Sequence, residues 1–236
     1  LIFKGNNSRT NYGYNQSSVS LQNSGGTIVN TAGSPFSGSS VYVFDCNSSA
    51  AIGSNNNPID LDITDGGGTV ELFFKLASNT NQGIIFMFNN AYATGQALTL
   101  IANYDLSTLS GNANTVCLGY LDCDTQSNST TIWNSPALTV GDWYYFALSI
   151  TNNNTYSVYF GAGYPNTVAN QQTVVSPTVS LPSYSSTYPY INIGFDGLSG
   201  YGYTTWDGYI SNFRVTYPTT RYTGSSITIP SSAFPT

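Results

Sequence analysis

Charged residues are scarce in this chain, and histidine is absent. They make up 7% of the 236 residues, against about 25% in an ordinary soluble domain. The five cations are scattered and the net charge is -6, so no basic cluster is available to neutralise a row of phosphates. This composition argues against nucleic-acid binding. Without histidine, a serine or cysteine nucleophile would also lack its usual base.

Glutamate occurs once, as Glu71. Most glycoside hydrolases place a pair of carboxylates at the reacting bond, one as acid and one as base or nucleophile. Glu71 has Thr69 and Phe73 at the matching positions of its predicted strand, so no second carboxylate accompanies it. We therefore interpret Glu71 as an ordinary outward-facing strand residue and predict that the protein is not an enzyme.

Cysteine is also sparse, with Cys46, Cys117 and Cys123. Cys117 and Cys123 could form a disulfide if the residues between them turn. On one continuous strand, however, their offset of about 20 Å exceeds disulfide reach. Zinc is disfavoured because there is no histidine and no CxxC pair. No apolar run approaches the roughly 18 residues of a membrane span, so membrane insertion is not expected.

Short runs of β-branched and aromatic residues fill the sequence, separated by Gly, Asn, Pro and Ser clusters. This pattern predicts an all-β fold of sandwich size, with two antiparallel sheets. Alternation predicts that Val70, Leu72 and Phe74 point inward, whereas Asn212 and Arg214 point outward. The predicted strands are 1–4, 19–21, 27–29, 41–44, 69–76, 83–88, 98–102, 116–121, 143–151, 156–160, 190–194 and 209–216. We expect residues 1–236 to form one domain, with 1–30 as an N-terminal strand and a polar arm packed on it.

Several segments, in order, resemble one known family. They are 1–5, 34–45 and 69–75 in the first half, and 141–148, 156–160, 191–194 and 206–216 in the second. Together they resemble the concanavalin A-like, laminin G-like jelly-roll β-sandwich. The segment Thr220-Arg221-Tyr222-Thr223, with its proline-rich exit, looks most like the versions in phage tail and other virion proteins. The chain departs from the family where a histidine usually follows the tryptophan-tyrosine pair, since Tyr145 or Phe146 stands there.

Members of this family bind sugars, bind proteins, hydrolyse glucans or pack into assemblies, so the fold does not fix the function. We predict a non-catalytic module at a virion surface or in an extracellular setting, such as a phage or virus fibre, tail or capsid-decorating protein. Its expected partners are a host-surface glycan or receptor and other virion subunits, in a homo-oligomer or assembled particle. The alternatives are a cellular secreted lectin or adhesin, a purely structural assembly domain, and, last, a glycoside hydrolase.

A calcium site is predicted where aspartates precede a triple glycine. Asp60, Asp62 and Asp65 place two carboxylates on one strand face and a third in the following turn, and Ca²⁺ prefers such oxygen ligands. The alternative is turn chemistry without metal. Asp122 and Asp124 show the same alternation and the same ambiguity.

A ligand surface is predicted where aromatic and acidic residues crowd one stretch near the C-terminus. Sugar binding typically combines an aromatic face for stacking with carboxylate or amide hydrogen-bond partners. An exposed tyrosine cluster is equally typical of a protein interface. Trp143, by contrast, is predicted to lie in the core because its strand is the most apolar. The candidate ligand-binding residues are Tyr188, Asp196, Tyr201, Tyr203, Trp206 and Asp207.

Overall fold

A computed structural model shows that the described part of this protein consists of strands and loops. The structure describes residues 2–3, 21–24, 27–29, 35–36, 43–45, 51–54, 67–90, 96–122, 127–151, 155–162, 168–172, 189–193, 207–216, 219–232 and 234. Among these residues no helix is long and apolar enough to cross a membrane.

One sheet, which we call the front sheet, has nine strands. Its order is β16-β13-β12-β11-β6-β15-β4-β3, with β1 also paired to β15, and each pair is antiparallel. These strands are β1 Ile2–Phe3, β3 Thr27–Val29, β4 Val43–Asp45, β6 Gly68–Leu76, β11 Trp143–Ile150, β12 Tyr156–Ala162, β13 Val168–Gln172, β15 Gly208–Thr216 and β16 Ser226–Thr228.

A seven-stranded back sheet has the order β10-β9-β8-β7-β14-β5-β2, again antiparallel at each pair. These strands are β2 Leu21–Ser24, β5 Ala51–Ser54, β7 Gly83–Asn90, β8 Gln96–Asp105, β9 Ser110–Asp122, β10 Thr130–Asn134 and β14 Pro189–Ile193. The two antiparallel sheets form a jelly-roll β-sandwich, which confirms the predicted fold class.

The main core lies where inward side chains of the two sheets meet. Val70, Leu72 and Phe74 belong to it and are fully buried, as alternation predicted. Tyr120 of the back sheet and Tyr156 of the front sheet are also fully buried, and their hydroxyls lie 2.5 Å apart. Burial raises the pKa of Tyr120 to about 12. This hydrogen bond satisfies two polar groups deep in the core and ties the sheets together.

The outer face of the front sheet is also covered. Residues 219–232 and Phe234, which we call the strap, cross this face, and β16 within the strap pairs with β13. Thr220 donates a hydrogen bond to the Ile150 carbonyl at 2.8 Å, and the Gly224 carbonyl accepts one from Tyr159 at 2.7 Å. The front sheet is therefore packed on both faces. A further apolar cluster lies between its outer face and the strap, formed by Phe36, Phe73, Tyr145, Ala147, Tyr159, Ile229 and Phe234.

Cys117 is a free cysteine, fully buried on β9. Its sulfur lies 3.4 Å from the Thr131 hydroxyl, and burial raises the pKa of the thiol to about 11. The disulfide alternative with Cys123 is therefore wrong, because Cys117 lies within a strand that continues to Asp122. Cys123 itself lies outside the described residues.

Candidate functional site

Most of the predicted ligand-binding residues lie outside the described part of the chain. These are Tyr188, Asp196, Tyr201, Tyr203 and Trp206, and the predicted calcium ligands Asp60, Asp62 and Asp65 lie outside it as well. Both groups of residues therefore remain predictions.

Asp207 is described, and it locates the end of the predicted ligand loop. Its carbonyl oxygen accepts a hydrogen bond from the Ala77 amide at 2.9 Å, just before β15 begins at Gly208. On the other side of β6, the Gly141 amide donates to the Leu76 carbonyl at 2.9 Å. Asp207 therefore leads into β15 at the end of the front sheet where β6 ends and β11 begins.

Three large side chains form a row across the front sheet near this end of β6. Trp143 and Tyr209 are both paired with Lys75 in the strand register, one from β11 and the other from β15. The Lys75 ammonium lies 5.1 Å from the Trp143 ring centroid and 4.7 Å from that of Tyr209. These distances are typical of cation–π contacts. We call Trp143, Lys75 and Tyr209 the aromatic row.

All three members of the aromatic row are partly exposed. The prediction that Trp143 lies in the core is confirmed in part, because its partly buried side chain packs against the apolar cluster on the outer face of the front sheet. Burial lowers the pKa of Lys75 from its usual value, since a charged group loses hydration beside apolar rings. The row thus combines two accessible aromatic surfaces with a partly desolvated positive charge.

Glu71, also on the outer face, is fully buried, so its interpretation as an ordinary outward-facing residue is wrong. One of its carboxylate oxygens, Oε1, lies 2.6 Å from Nη2 of Arg214 and 3.3 Å from Nε of Arg221. The other, Oε2, accepts hydrogen bonds from the hydroxyls of Tyr145 at 2.7 Å and Tyr222 at 3.0 Å. We call these five residues the glutamate cluster.

The predicted outward direction of the Arg214 side chain is confirmed, but the side chain is not exposed to solvent. Arg214 lies on the outer face as alternation indicated, yet it is buried beneath the strap, with its guanidinium 3.9 Å from the Phe234 ring centroid. Burial, with Glu71 and Tyr222 nearby, raises the pKa of Tyr145 well above its usual value. Tyr145 therefore stays neutral and continues to donate to the carboxylate.

The glutamate cluster has a structural role and is not arranged for acid–base chemistry. Arg221 and Tyr222 belong to the strap, whereas Glu71, Tyr145 and Arg214 belong to the sheet. Both carboxylate oxygens of Glu71 already have hydrogen-bonded or charged partners within the protein. A fully buried carboxylate held in this way is inaccessible to a substrate and is not free to shuttle a proton. The cluster instead fastens the strap to the sheet.

The side chain and backbone of Asp122 form hydrogen bonds within the protein. Its Oδ2 lies 3.3 Å from both the backbone nitrogen and the side-chain amide of Asn128, and its own amide donates to Ser129 at 2.9 Å. Asp124, its companion in the alternative metal site, lies outside the described residues. Within the described residues, no group of three or more histidine, cysteine, aspartate or glutamate side chains could hold a metal ion.

Comparison with known proteins identifies the fold. No protein-family model and no curated protein matches the chain. A protein of unknown function from Shewanella oneidensis MR-1 superposes with a TM-score of 0.50 at 13% identity, covering 92% of this chain and 82% of that one. A mutant of HCR/D gives 0.51 at 12% identity, and this chain spans only 44% of its length while 85% of this chain is covered.

A third structure lies just below these in similarity. Domain 4 of AbnA, a GH43 extracellular arabinanase from Geobacillus stearothermophilus in complex with arabinotriose, gives a TM-score of 0.49 at 16% identity, covering 81% of this chain and 76% of that domain. At such low identities, the likenesses with TM-scores of 0.50 and 0.51 show a shared fold and nothing finer.

Proposed function

We propose that this protein is a non-catalytic module that binds carbohydrate at the surface of a virion, as part of a phage or virus tail, fibre or capsid decoration. The observation that carries the non-catalytic part is the burial of Glu71 in a complete set of partners. The sequence contains no other glutamate and no histidine, so two residue types that commonly perform acid–base chemistry are either absent or, in Glu71, already held by partners.

The carbohydrate part is supported by the aromatic residues of the sequence segment that ends at Asp207. In the sequence, Tyr201, Tyr203 and Trp206 precede Asp207, and Asp207 lies next to the end of β6, near the aromatic row. Aromatic rings are the usual stacking surfaces for sugars, and adjacent carboxylate or amide groups give orientation. Rings in this segment and on the strands beside Asp207 suit a ligand of more than one sugar unit.

The virion setting is supported by the sequence resemblance of the segment 220–223. In the structure this segment begins the strap, and it brings Arg221 and Tyr222 to Glu71. A strap fixed in this way suits a module that must stay folded outside a cell. From the same sequence resemblance, we propose that the protein forms a homo-oligomer or part of an assembled particle.

Binding to a glycan array tests this function. We expect the wild-type protein to bind a restricted set of glycans, and Tyr201→Ala or Tyr203→Ala to abolish that binding, because each removes a stacking ring. Leu109→Ala, which truncates an exposed side chain in the turn between β8 and β9, is the matched control and should bind normally. Absence of binding to any glycan, with the tyrosine loop buried between subunits in the assembled particle, would favour the purely structural alternative.

We also propose that Asp60, Asp62 and Asp65 bind Ca²⁺. If they do, chelation should lower the thermal midpoint of unfolding, since a ligand that binds only the native state stabilises it. Asp62→Ala should lower the midpoint in the presence of calcium and make it insensitive to chelator. Asp142→Asn, at an exposed aspartate elsewhere, serves as the control. An unchanged wild-type midpoint in excess chelator would refute the calcium site.

A further inference from the structure

The two arginines of the glutamate cluster use their guanidinium groups differently. Arg214 donates a hydrogen bond from Nε to Oε1 of Glu71 at 2.7 Å, and its Nη2 lies 2.6 Å from the same oxygen. Arg221 contacts that oxygen only as an ion pair, with its Nε at 3.3 Å. Among the described residues, the side chain of Arg221 donates no hydrogen bond, and its backbone amide alone does so. The donors of this guanidinium are therefore left to solvent or to a ligand.

The glutamate cluster carries an excess positive charge, because two guanidinium groups share the single carboxylate of Glu71. Tyr145 stays neutral, since burial and the nearby carboxylate raise its pKa well above its usual value. In the described part of the chain, no second carboxylate forms an ion pair with Arg221. The Arg221 side chain is 39% exposed and that of Arg214 is 7% exposed. The excess charge is therefore presented to solvent at Arg221, in a chain whose net charge is -6.

Hydrogen bonds of the strap fix the backbone from which Arg221 projects. Its amide donates to the Thr69 hydroxyl at 2.9 Å, and that hydroxyl lies 3.0 Å from the hydroxyl of Ser149. The preceding residue, Thr220, donates to the Ile150 carbonyl at 2.8 Å. These bonds tie this part of the strap to β6 and β11. A backbone positioned before any ligand arrives reduces the entropic cost of binding.

An aromatic ring lies beside the exposed guanidinium. Cζ of Arg221 is 5.8 Å from the centroid of the Tyr222 ring, and Tyr222 is partly exposed. The ring is held in place because its hydroxyl donates to Oε2 of Glu71 at 3.0 Å and its edge meets Tyr159, with the ring centroids 5.7 Å apart. Arg221 and Tyr222 thus place a set of charged donors next to an apolar ring at the surface of the strap.

We propose that Arg221 and Tyr222 form a subsite for an acidic sugar, with the sugar's carboxylate on the Arg221 guanidinium and an apolar face of the sugar against the Tyr222 ring. This inference rests on the proposed function and names its ligand class. A planar guanidinium can donate two parallel hydrogen bonds to a carboxylate, and charge-assisted bonds are about twice as strong as neutral ones. A neutral sugar offers only hydroxyl oxygens to the same donors. The adjacent ring favours a sugar over a simple anion, because it provides a stacking surface.

The test uses an array of oligosaccharides that bear sialic or uronic acid, each printed beside its own methyl ester. The ester keeps the sugar rings and removes the negative charge. We expect the wild-type full chain to bind at least one acidic glycan about tenfold or more tightly than its ester. Raising the salt concentration should narrow this difference, since salt screens exposed charges.

A charge-removing variant assigns the difference to Arg221. Arg221→Gln should reduce the affinity for the acidic glycan to that of the ester and leave the affinity for the ester unchanged. Thermal unfolding checks that this variant keeps its fold, as expected for a side chain that donates no hydrogen bond within the described residues. Ser226→Ala, at an exposed position of the strap on β16, is the control and should bind both glycans as the wild-type protein does.

The outcomes separate this inference from the proposed function. Equal binding of acids and esters by the wild-type protein, or wild-type affinity for the acid in Arg221→Gln, would overturn the subsite and leave carbohydrate binding elsewhere intact. An equal loss of acid and ester binding in Arg221→Gln would indicate a structural role and also overturn it. Displacement of the acidic glycan by polyglutamate at equal concentration would show a general anion site and overturn the sugar assignment. Failure of the wild-type protein to bind any glycan would overturn both proposals.

Discussion

Replacing Glu71 by glutamine is expected to lower the free energy of unfolding by about 3 to 5 kcal/mol, because it leaves a buried arginine without its counter-charge. Most of this loss of stability comes from Arg214, because its side chain is only 7% exposed. The side chain of Arg221 is 39% exposed and can be solvated by water instead. Urea denaturation, followed by tryptophan fluorescence, measures the loss.

Two comparisons between variants test whether the loss of stability in Glu71→Gln comes from the buried charge pair. Arg214→Ala should be much more destabilising than Arg221→Ala, as their exposures imply. Asp142→Asn also removes a carboxylate, but an exposed one, and should change stability by no more than about 0.5 kcal/mol. A loss of less than about 1 kcal/mol for Glu71→Gln, within the usual range of a surface pair, would show that the glutamate cluster does not hold the strap.

Replacing Gly119 by alanine is expected to cost about 3 kcal/mol or more, at the upper end for an overpacked core. A Cβ at this position would overlap the Thr130 carbonyl oxygen and lie 2.8 Å from Cδ1 of Leu106. Thr130 lies on the paired strand β10, so the backbone of β10 would have to move and its pairing with β9 would weaken. Chemical denaturation measures the cost, and hydrogen exchange of β10 amides locates it.

Gly111 provides the matched control, because it lies on the same strand as Gly119. A Cβ on Gly111 would meet the side-chain nitrogen of Gln82 at 2.9 Å, and that flexible group can move away. Gly111→Ala should therefore leave stability nearly unchanged. Equal stability of the Gly119→Ala and Gly111→Ala proteins would contradict the close packing of β9 and β10.

Strand alternation predicted the inner face of the front sheet well. The positions of Val70, Leu72 and Phe74 follow from a pattern of period two, and the structure confirms them. Three strands with mostly small or polar residues were missed, because they lack the β-branched and aromatic runs that identify a strand. These are Ala51–Ser54, Val168–Gln172 and Ser226–Thr228. Thr130–Asn134 was also missed, although it carries such a run.

The glutamate cluster could not be predicted in this way. Glu71 and Arg214 are 143 residues apart, and they meet only because β6 pairs with β15 in one particular register. The outer-face position of Trp143 could not be predicted for a related reason. The strap covers the outer face of its sheet, so β11 is apolar on both faces and alternation does not show which side chains point toward the other sheet.

Incubating the protein with a glycan that it binds, then analysing that glycan by mass spectrometry, tests the central claim of binding without catalysis. The buried state of Glu71 predicts that the glycan is retained by the protein and recovered with unchanged mass after prolonged incubation. Recovery of a shortened glycan, in amounts that grow with protein concentration, would contradict the claim.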